Sequence, residues 1–260
     1  MGLHAQIFEA AKQRASREFA MTSIDLTMAT ASDYDLYLPL TLTDYDALRT
    51  SGLDAFLDLA IVPTPSAVEA CDDKLVFAEL VEQAGLEQYV PRRVGLLASC
   101  PYVLKKRRDA FGRGTSVITT DPADIERAER LGSADYFAQE LVAGATEFAT
   151  HMLLSRGRLL HHFTARFQMT SDRTIKGIAS SGTYAGSYDA TPHLAVFEKM
   201  LTVVGFFDGV CCFDYKIVDG QPRVFEINPR FGGSLTMDMT AFLQAYRGAV
   251  QTKRLASACV

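Results

Sequence analysis

The sequence predicts an α+β protein. Runs of alternating apolar residues dominate the second half, glycine-bearing turns join neighbouring runs as hairpins, and helical spacing appears between them without a regular βαβ repeat. The 260 residues, 48% hydrophobic, can bury a sizeable core as one large domain or two compact lobes.

Residues 5–19 have amphipathic helical spacing. A weak strand is predicted over residues 23–27 and a better one in DYDLYLPLTL, where Leu36, Leu38 and Leu40 alternate, so the front reads as a small α/β unit. Residues 43–59 read as a helix capped by Thr43-Asp44; Pro63 and Pro65 then set a boundary within residues 61–66. Residues 66–84 are helical by the spacing of Ala67, Ala70, Leu75, Phe77, Leu80 and Val81, and Gly85 is the stop. YVLKK is a strand running into basic residues, and RRDAFGRGTSVITT turns it back into a second strand at residues 115–119 through a flexible tip. Asp121-Pro122 starts a helix through Arg130. FAQELV, EFATHMLLS and RLLHHFTARF follow as strands, the last two joined by Arg156-Gly157. Residues 171–188, rich in Ser, Thr and Gly, read as a loop, and residues 192–204 as a helix. GVCCFDYKIV and VFEINPR are strands around Asp219-Gly220, and a final helix covers residues 237–246.

Composition excludes several functions. A net charge of −5 gives no global attraction for nucleic acid or an anionic membrane. No segment approaches the ~20 consecutive apolar residues that span a bilayer, and MGLHAQIFEAAKQRASREF lacks the apolar stretch of a secretory signal. Cys71, Cys100, Cys211, Cys212 and Cys259 are an odd set without CxxC spacing, as expected of reduced thiols in a cytoplasmic protein.

VFEINPRFGGSL begins like a buried strand yet carries Glu226, Asn228 and Arg230 at alternate positions. In a regular strand Glu226 and Asn228 share one face, while Phe225 and Ile227 share the other. Parity decides whether Asp214 joins them. A two-residue loop at Asp219-Gly220 would place Asp214 opposite Phe225, whereas a three-residue loop, Val218-Asp219-Gly220, brings it onto the face of Glu226 and Asn228. An odd-length loop is therefore expected, because the alternative buries an unpaired charge. Two carboxylates and an amide oxygen are hard ligands suited to Mg²⁺ or Mn²⁺. Taken alone, the pattern also fits a solvated sheet face on which Arg230 neutralises Glu226.

Its neighbours in the chain supply a context. Asp73-Lys74 on a helix, Lys105 at a strand end, Gly112-Arg113-Gly114 in a flexible tip, Gln139-Glu140-Leu141-Val142 with Glu147 seven residues after Glu140, and then Asp214, Glu226, Asn228 and Arg230 form an ordered series. Over roughly residues 60 to 245 that series resembles the ATP-grasp superfamily, and the INPR end is most similar to its carbamoyl phosphate synthetase and carboxylate-amine ligase branches. The resemblance implies an ATP-grasp fold of two α+β subdomains: a lid subdomain over residues 63–142 and a larger one with the metal site over residues 143–260. A truncated Rossmann-like unit over residues 1–62 would precede them. The nucleotide would lie between the subdomains, with Lys74 and Lys105 facing it and Lys105 on its phosphates. Gly112 and Gly114 would close over the phosphates, Glu140, Leu141 and Val142 would hold adenine, and Glu147 would take the ribose hydroxyls. Asp214, Glu226 and Asn228 would hold Mg²⁺ (or Mn²⁺), and Arg230 and Lys105 would stabilise the transferring phosphoryl group.

The implied activity is an ATP- and magnesium-dependent carboxylate-amine ligase acting through an acyl phosphate on small-molecule acids and amines. The alternatives are a small-molecule kinase and a non-catalytic ATP-binding module. The front unit is shorter than the family's usual one and no carboxy-terminal domain is expected, so a partner subunit, as in a homodimer, is one way to complete the acceptor pocket. Other polar residues are less telling. His161-His162 put one imidazole on each strand face, one packed and one exposed. Arg166 fits an acceptor anchor or an ion pair equally well. SSGTYAGS suits a substrate-covering loop or a plain surface loop, and Cys211 and Cys212 read as small buried thiols.

Overall fold

The computed structural model describes residues 3–24, 30–50, 54–95, 99–109, 114–131, 134–175 and 182–258. Helices α1 (Leu3–Ala15), α2 (Leu42–Thr50), α3 (Asp54–Leu57), α4 (Pro65–Asp72) and α5 (Lys74–Gln83) lead into a four-stranded antiparallel sheet. Its strands are β1 (Arg93–Val94), β2 (Tyr102–Lys106), β3 (Thr115–Ile118) and β4 (Tyr136–Glu140), in the order β1-β4-β2-β3, with α6 (Pro122–Leu131) between β3 and β4. A five-stranded antiparallel sheet follows: β5 (Thr146–Ser155), β6 (Arg158–Met169), β7 (Gly182–Ser187), β8 (Gly209–Val218) and β9 (Gln221–Asn228), ordered β7-β6-β5-β8-β9. Helix α7 (Leu194–Val203) precedes β8, and α8 (Met239–Ala258) ends the described chain. No helix among the described residues is long and apolar enough to cross a membrane.

The front segment departs from expectation. Among the described residues no strand precedes Arg93; most of the weak strand expected over residues 23–27 lies outside them. Leu36, Leu38 and Leu40 do alternate, but they pack against the α1–α8 core, and among the described residues one backbone–backbone bond, Tyr37 N to Leu59 O (2.8 Å), stands where a ladder was expected. Without a partner strand, apolar packing and isolated bonds hold this segment, Leu40 N for one donating to Asp44 Oδ2 (2.8 Å). The Tyr246 hydroxyl joins it to α8, donating to Tyr37 O (2.9 Å) and accepting from Ile61 N (3.0 Å). The cap of α2 is Thr41 rather than Thr43-Asp44: Thr41 Oγ1 accepts from Asp44 N, and Asp44 Oδ2 accepts from Thr41 N, a reciprocal capping box. Of the helix expected over residues 43–59, α2 and α3 are described, residues 51–53 between them lie outside the described residues, and α3 ends at Leu57.

The helix expected over residues 66–84 is likewise two helices. Asp73 breaks it, because its carboxylate accepts from Leu75 N (3.1 Å) and Val76 N (3.3 Å) and so caps α5. Part of residues 171–188, read as a loop, is the edge strand β7, paired with β6 around an irregularity between Ala165 and Phe167. An edge strand with solvent on one side needs no apolar alternation, so composition hid it. Helix α8 runs on to Ala258, beyond the expected end at residue 246.

One face of the large sheet packs on α4, α5 and α7 through Phe197, Phe206, Phe213, Tyr215, Val224 and Ile227. The other is covered at one end by α1 and α8, around Leu153, Val210, Phe231 and Phe242. The rest of that face carries the site.

The β8–β9 hairpin shows how. Its loop is the two-residue turn Asp219-Gly220, both residues at positive φ (51° and 74°), with Val218 paired to Gln221. The odd-length loop expected from parity is absent. A β-bulge restores the convergence instead: Tyr215 pairs with Val224, the next pair is Asp214 with Glu226, and Phe225 is the extra residue. Val224 and Ile227 both enter the core, and Phe225 lies with Glu226 on the site face rather than with Ile227 as alternation predicts.

Candidate functional site

Between the two sheets lies a cavity of about 720 Å³, a volume ordinary for a small-molecule site. The small sheet contributes Val103, Lys105, Thr115, Gln139 and Glu140, and the crossing between the sheets contributes Leu141 and Val142. The large sheet contributes Glu147, Ala149 and His151 from β5, Phe167 from β6, and Cys212, Asp214 and Lys216 from β8. Phe225, Glu226 and Asn228 of β9 continue the wall to Arg230, Gly232, Gly233 and Ser234. Nine of the candidate site residues line this one space: Lys105, Glu140, Leu141, Val142, Glu147, Asp214, Glu226, Asn228 and Arg230.

Asp214, Glu226 and Asn228 meet on adjacent strands. Asn228 Nδ2 donates to Asp214 Oδ2 (3.1 Å) and to Glu226 Oε1 (3.0 Å), and Asn228 Oδ1 accepts from Arg230 Nη2 (3.4 Å). No group of three His, Cys, Asp or Glu suited to a metal occurs among the described residues. The two carboxylates and one amide oxygen could hold a hard divalent ion that keeps most of its other positions for water and phosphate oxygens.

Lys105 crosses from the small sheet. Its Nζ donates to Phe225 O (3.3 Å) and stands 5.3 Å from the Phe225 ring centroid, so the bulge residue receives the ammonium through both carbonyl and ring. Burial lowers the Lys105 pKa, the nearby Lys74 lowers it further, and Glu226, Glu147 and Asp109 only partly compensate.

Lys74 does not line the cavity. It is buried at the start of α5, with Nζ 2.7 Å from Asp109 Oδ1 and 3.6 Å from Glu226 Oε2. Burial pushes its pKa down, but Glu226 and Asp109 outweigh this and the net shift is upward. Asp109 Oδ2 in turn accepts from Gly114 N (2.8 Å), which pins the base of the glycine tip. A Cβ on Gly114 would lie 2.5 Å from Lys106 Cβ, so only glycine lets the returning strand pass there. Gly112 lies outside the described residues.

Glu140 sits at the cavity edge, its Oε1 accepting from Arg92 N (3.1 Å). Glu147 is a buried carboxylate on the wall, electrostatically coupled to Lys105 and Lys216.

Two residues on this wall were missed in the sequence. Lys216 is buried and donates to Val142 O (3.2 Å), Thr174 O (3.3 Å) and Asp172 O (3.4 Å), tying the crossing segment to the turn after β6; burial lowers its pKa against Glu147 and Asp172. His151 faces the Arg230 end, with Nε2 2.7 Å from Ser234 Oγ. Parity held both signals: Lys216 is two residues after Asp214, and His151 is four after Glu147. The His161-His162 pair lies elsewhere, both rings partly buried rather than one packed and one exposed, with His161 Nε2 2.7 Å from Asp238 Oδ2. Arg166 donates to Ala185 O (2.9 Å), a strand-to-strand tie. Cys211 is in the core, and Cys212 is on the cavity wall.

No family model and no curated protein sequence matches the chain. Solved structures do. L-amino acid ligase from Bacillus licheniformis is 20% identical with a TM-score of 0.52, over 70% of this chain and 49% of that one. D-alanine–D-alanine ligase from Bacillus anthracis, solved with ATP, is 12% identical with a TM-score of 0.61, over 99% of this chain and 96% of that one. Phosphoribosylamine–glycine ligase from Thermotoga maritima is 16% identical with a TM-score of 0.59, over 94% and 73%. This chain thus spans about half of the first and nearly all of the second. Two antiparallel sheets closing on one cavity, together with these likenesses, show that the chain has the ATP-grasp fold.

Proposed function

We propose that the chain is an ATP-dependent ligase that joins a small-molecule carboxylate to an amine through an acyl phosphate. The observation that carries the reading is the placement of Asp214, Glu226 and Asn228 on one face of the large sheet, opposite Lys105 of the small sheet, within a single cavity. The solved relatives named above are ligases that use amino acids or an amine with glycine, and one was solved with ATP, so the same class of small acids and amines is assigned here.

The purine lies against Leu141 and Val142, and Glu147 meets the ribose. Lys105 and the Gly114 edge of the tip take the phosphates, where a cation and backbone N–H groups oppose accumulated negative charge. Lys74 acts one contact away, holding Asp109 and Glu226 in place. The donor set fits magnesium, which when bound supplies positive charge for the β- and γ-phosphates. Arg230, fixed by its bonds to Phe231 O and Asn228 Oδ1, faces the acceptor end and stabilises charge on the transferring phosphoryl group. A carboxylate oxygen attacks the γ-phosphorus and ADP departs with the broken bond's electron pair; the amine then attacks the acyl carbon and inorganic phosphate leaves. No protein nucleophile is required.

Glu226→Ala tests this. With amino acids as the acid and amine panel, the wild type releases ADP only when both are present, and the variant is expected to lose about 100-fold or more of that rate. Its fold survives, because Lys74 keeps Asp109 as its partner. Transfer of phosphate to a hydroxyl, with no amide formed, would contradict the reading.

A further inference from the structure

At the Arg230 end of the cavity, His151 and Ser234 stand 2.7 Å apart, Nε2 to Oγ. They come from separate elements, the middle of β5 and the helical turn Gly233–Asp238. The imidazole is buried at 1% exposure, whereas Ser234 is half-buried, and both line the cavity. The approach depends on Gly232: a Cβ there would lie 2.4 Å from His151 Cε1 and 3.0 Å from Nδ1, so the loop rests on the ring at a position where only glycine fits. Across the sheet His151 pairs with Cys212, and Cys212 pairs with Asn228. The pair is thus one strand away from the carboxylate cluster and beside Arg230, Gly232 and Gly233 on the wall. A buried imidazole joined to a cavity hydroxyl is a geometry for moving a proton.

We infer that Ser234 and His151 relay the proton of the attacking amine, with His151 as a positioning base that acts through the Ser234 hydroxyl. The inference rests on the ligase reading. With the imidazole proton on Nδ1, Nε2 accepts from the Ser234 hydroxyl. As the amine nitrogen bonds to the acyl carbon, the carbon–oxygen bond to phosphate breaks and phosphate leaves with its electron pair. The amine proton passes to Ser234 Oγ while the hydroxyl proton passes to His151 Nε2, which later releases it to water. The acceptor assigned to this end is therefore an amine that must lose a proton to complete the bond.

Hydroxylamine separates the two halves of the reaction, since it is already unprotonated at neutral pH and captures acyl phosphates as hydroxamates without a base. The experiment supplies Mg-ATP and each of the twenty standard L-amino acids as the acid, with hydroxylamine, ammonia or a second L-amino acid as nucleophile. Ser234→Ala removes one half-buried atom, and His151→Gln keeps a hydrogen-bonding group without a usable basic site; thermal unfolding checks both folds. In each variant amide formation is expected to fall about 100-fold relative to hydroxamate formation, and Ser234→Thr, which keeps the hydroxyl, should recover part of the loss. Equal losses in both products would show a structural tie between loop and sheet and overturn the inference. So would no loss, or a wild type that makes hydroxamate but accepts no amine. A wild type that makes no hydroxamate overturns the ligase reading itself, and the relay with it.

Discussion

Lys105 is buried among residues of both sheets; among the described residues its ammonium donates to one carbonyl at 3.3 Å and lies over the face of Phe225, while Glu226, Glu147 and Asp109 only partly offset its burial. A cation kept in such surroundings, with its pKa lowered by burial, costs folding energy that a bound polyanion recovers. Lys105→Met should therefore weaken ATP binding by about 10- to 100-fold, the worth of a charge-assisted hydrogen bond. Its thermal midpoint should stay level or rise, and calorimetric titration beside a melting curve reads both effects. Residue identities made much of the site legible. Glu226, Asn228 and Arg230 stand out because polar groups interrupt a strand pattern, whereas Asp214 joins them through the bulge at Phe225 and not through the odd-length loop expected from parity. His151 and Lys216 did not stand out, since one imidazole or one lysine in an apolar run signals nothing until its face is known.

At the scale of elements, Asp73 joins local structure to the site. It caps α5 and receives Arg107 in a two-point pair, with Nε at 3.1 Å from each oxygen and Nη2 at 2.6 Å from Oδ2. The cap fixes the helix that begins with Lys74, while Arg107 fixes the end of β2 two residues after Lys105. Burial pushes the Asp73 carboxyl up, but Arg107, the Val76 amide and Arg108 outweigh it and hold the pKa below the ordinary range. Its contribution is present above the unfolded value of about 3.9 and is lost as pH falls through the lower folded value. Asp73→Ala should cost about 1–2 kcal/mol at neutral pH, and the gap from wild type should narrow in urea unfolding at acid pH. Most elements were legible because caps, glycine stops and alternation are local. The β-bulge at Phe225 was not: alternation alone expects a regular strand, and the extra residue is specified by the need to keep Glu226 off the apolar face while Val224 and Ile227 both enter it. Strand β7 and the extended segment around Leu38 were misread for a related reason, because whether such a segment joins a ladder depends on what lies beside it.

For the whole molecule, the five-stranded sheet has opposite surfaces with different tasks. One is sealed by α4, α5 and α7, and the other is half sealed by α1 and α8 and half open to the cavity. The cavity wall sets three cations, Lys105, Lys216 and Arg230, beside four carboxylates, Glu140, Glu147, Asp214 and Glu226, so positive charge for a polyanion is confined to particular points of the interior. A ligand that bridges both sheets should stabilise them together. Mg-ATP at about 100 times its Kd should add roughly 2.7 kcal/mol and raise the melting midpoint by about 5–10 °C. Lys105→Met, assayed at the same concentration, should lose about half or more of that rise.

The acyl phosphate is the step on which the account turns, and oxygen-18 in the acid reports it directly. With a doubly labelled carboxylate, Mg-ATP and an amine, mass spectrometry of the released inorganic phosphate should find one labelled oxygen for each amide formed, because the acid's own oxygen becomes the bridge to phosphorus and leaves with it. Amide accompanied by unlabelled phosphate would contradict the account.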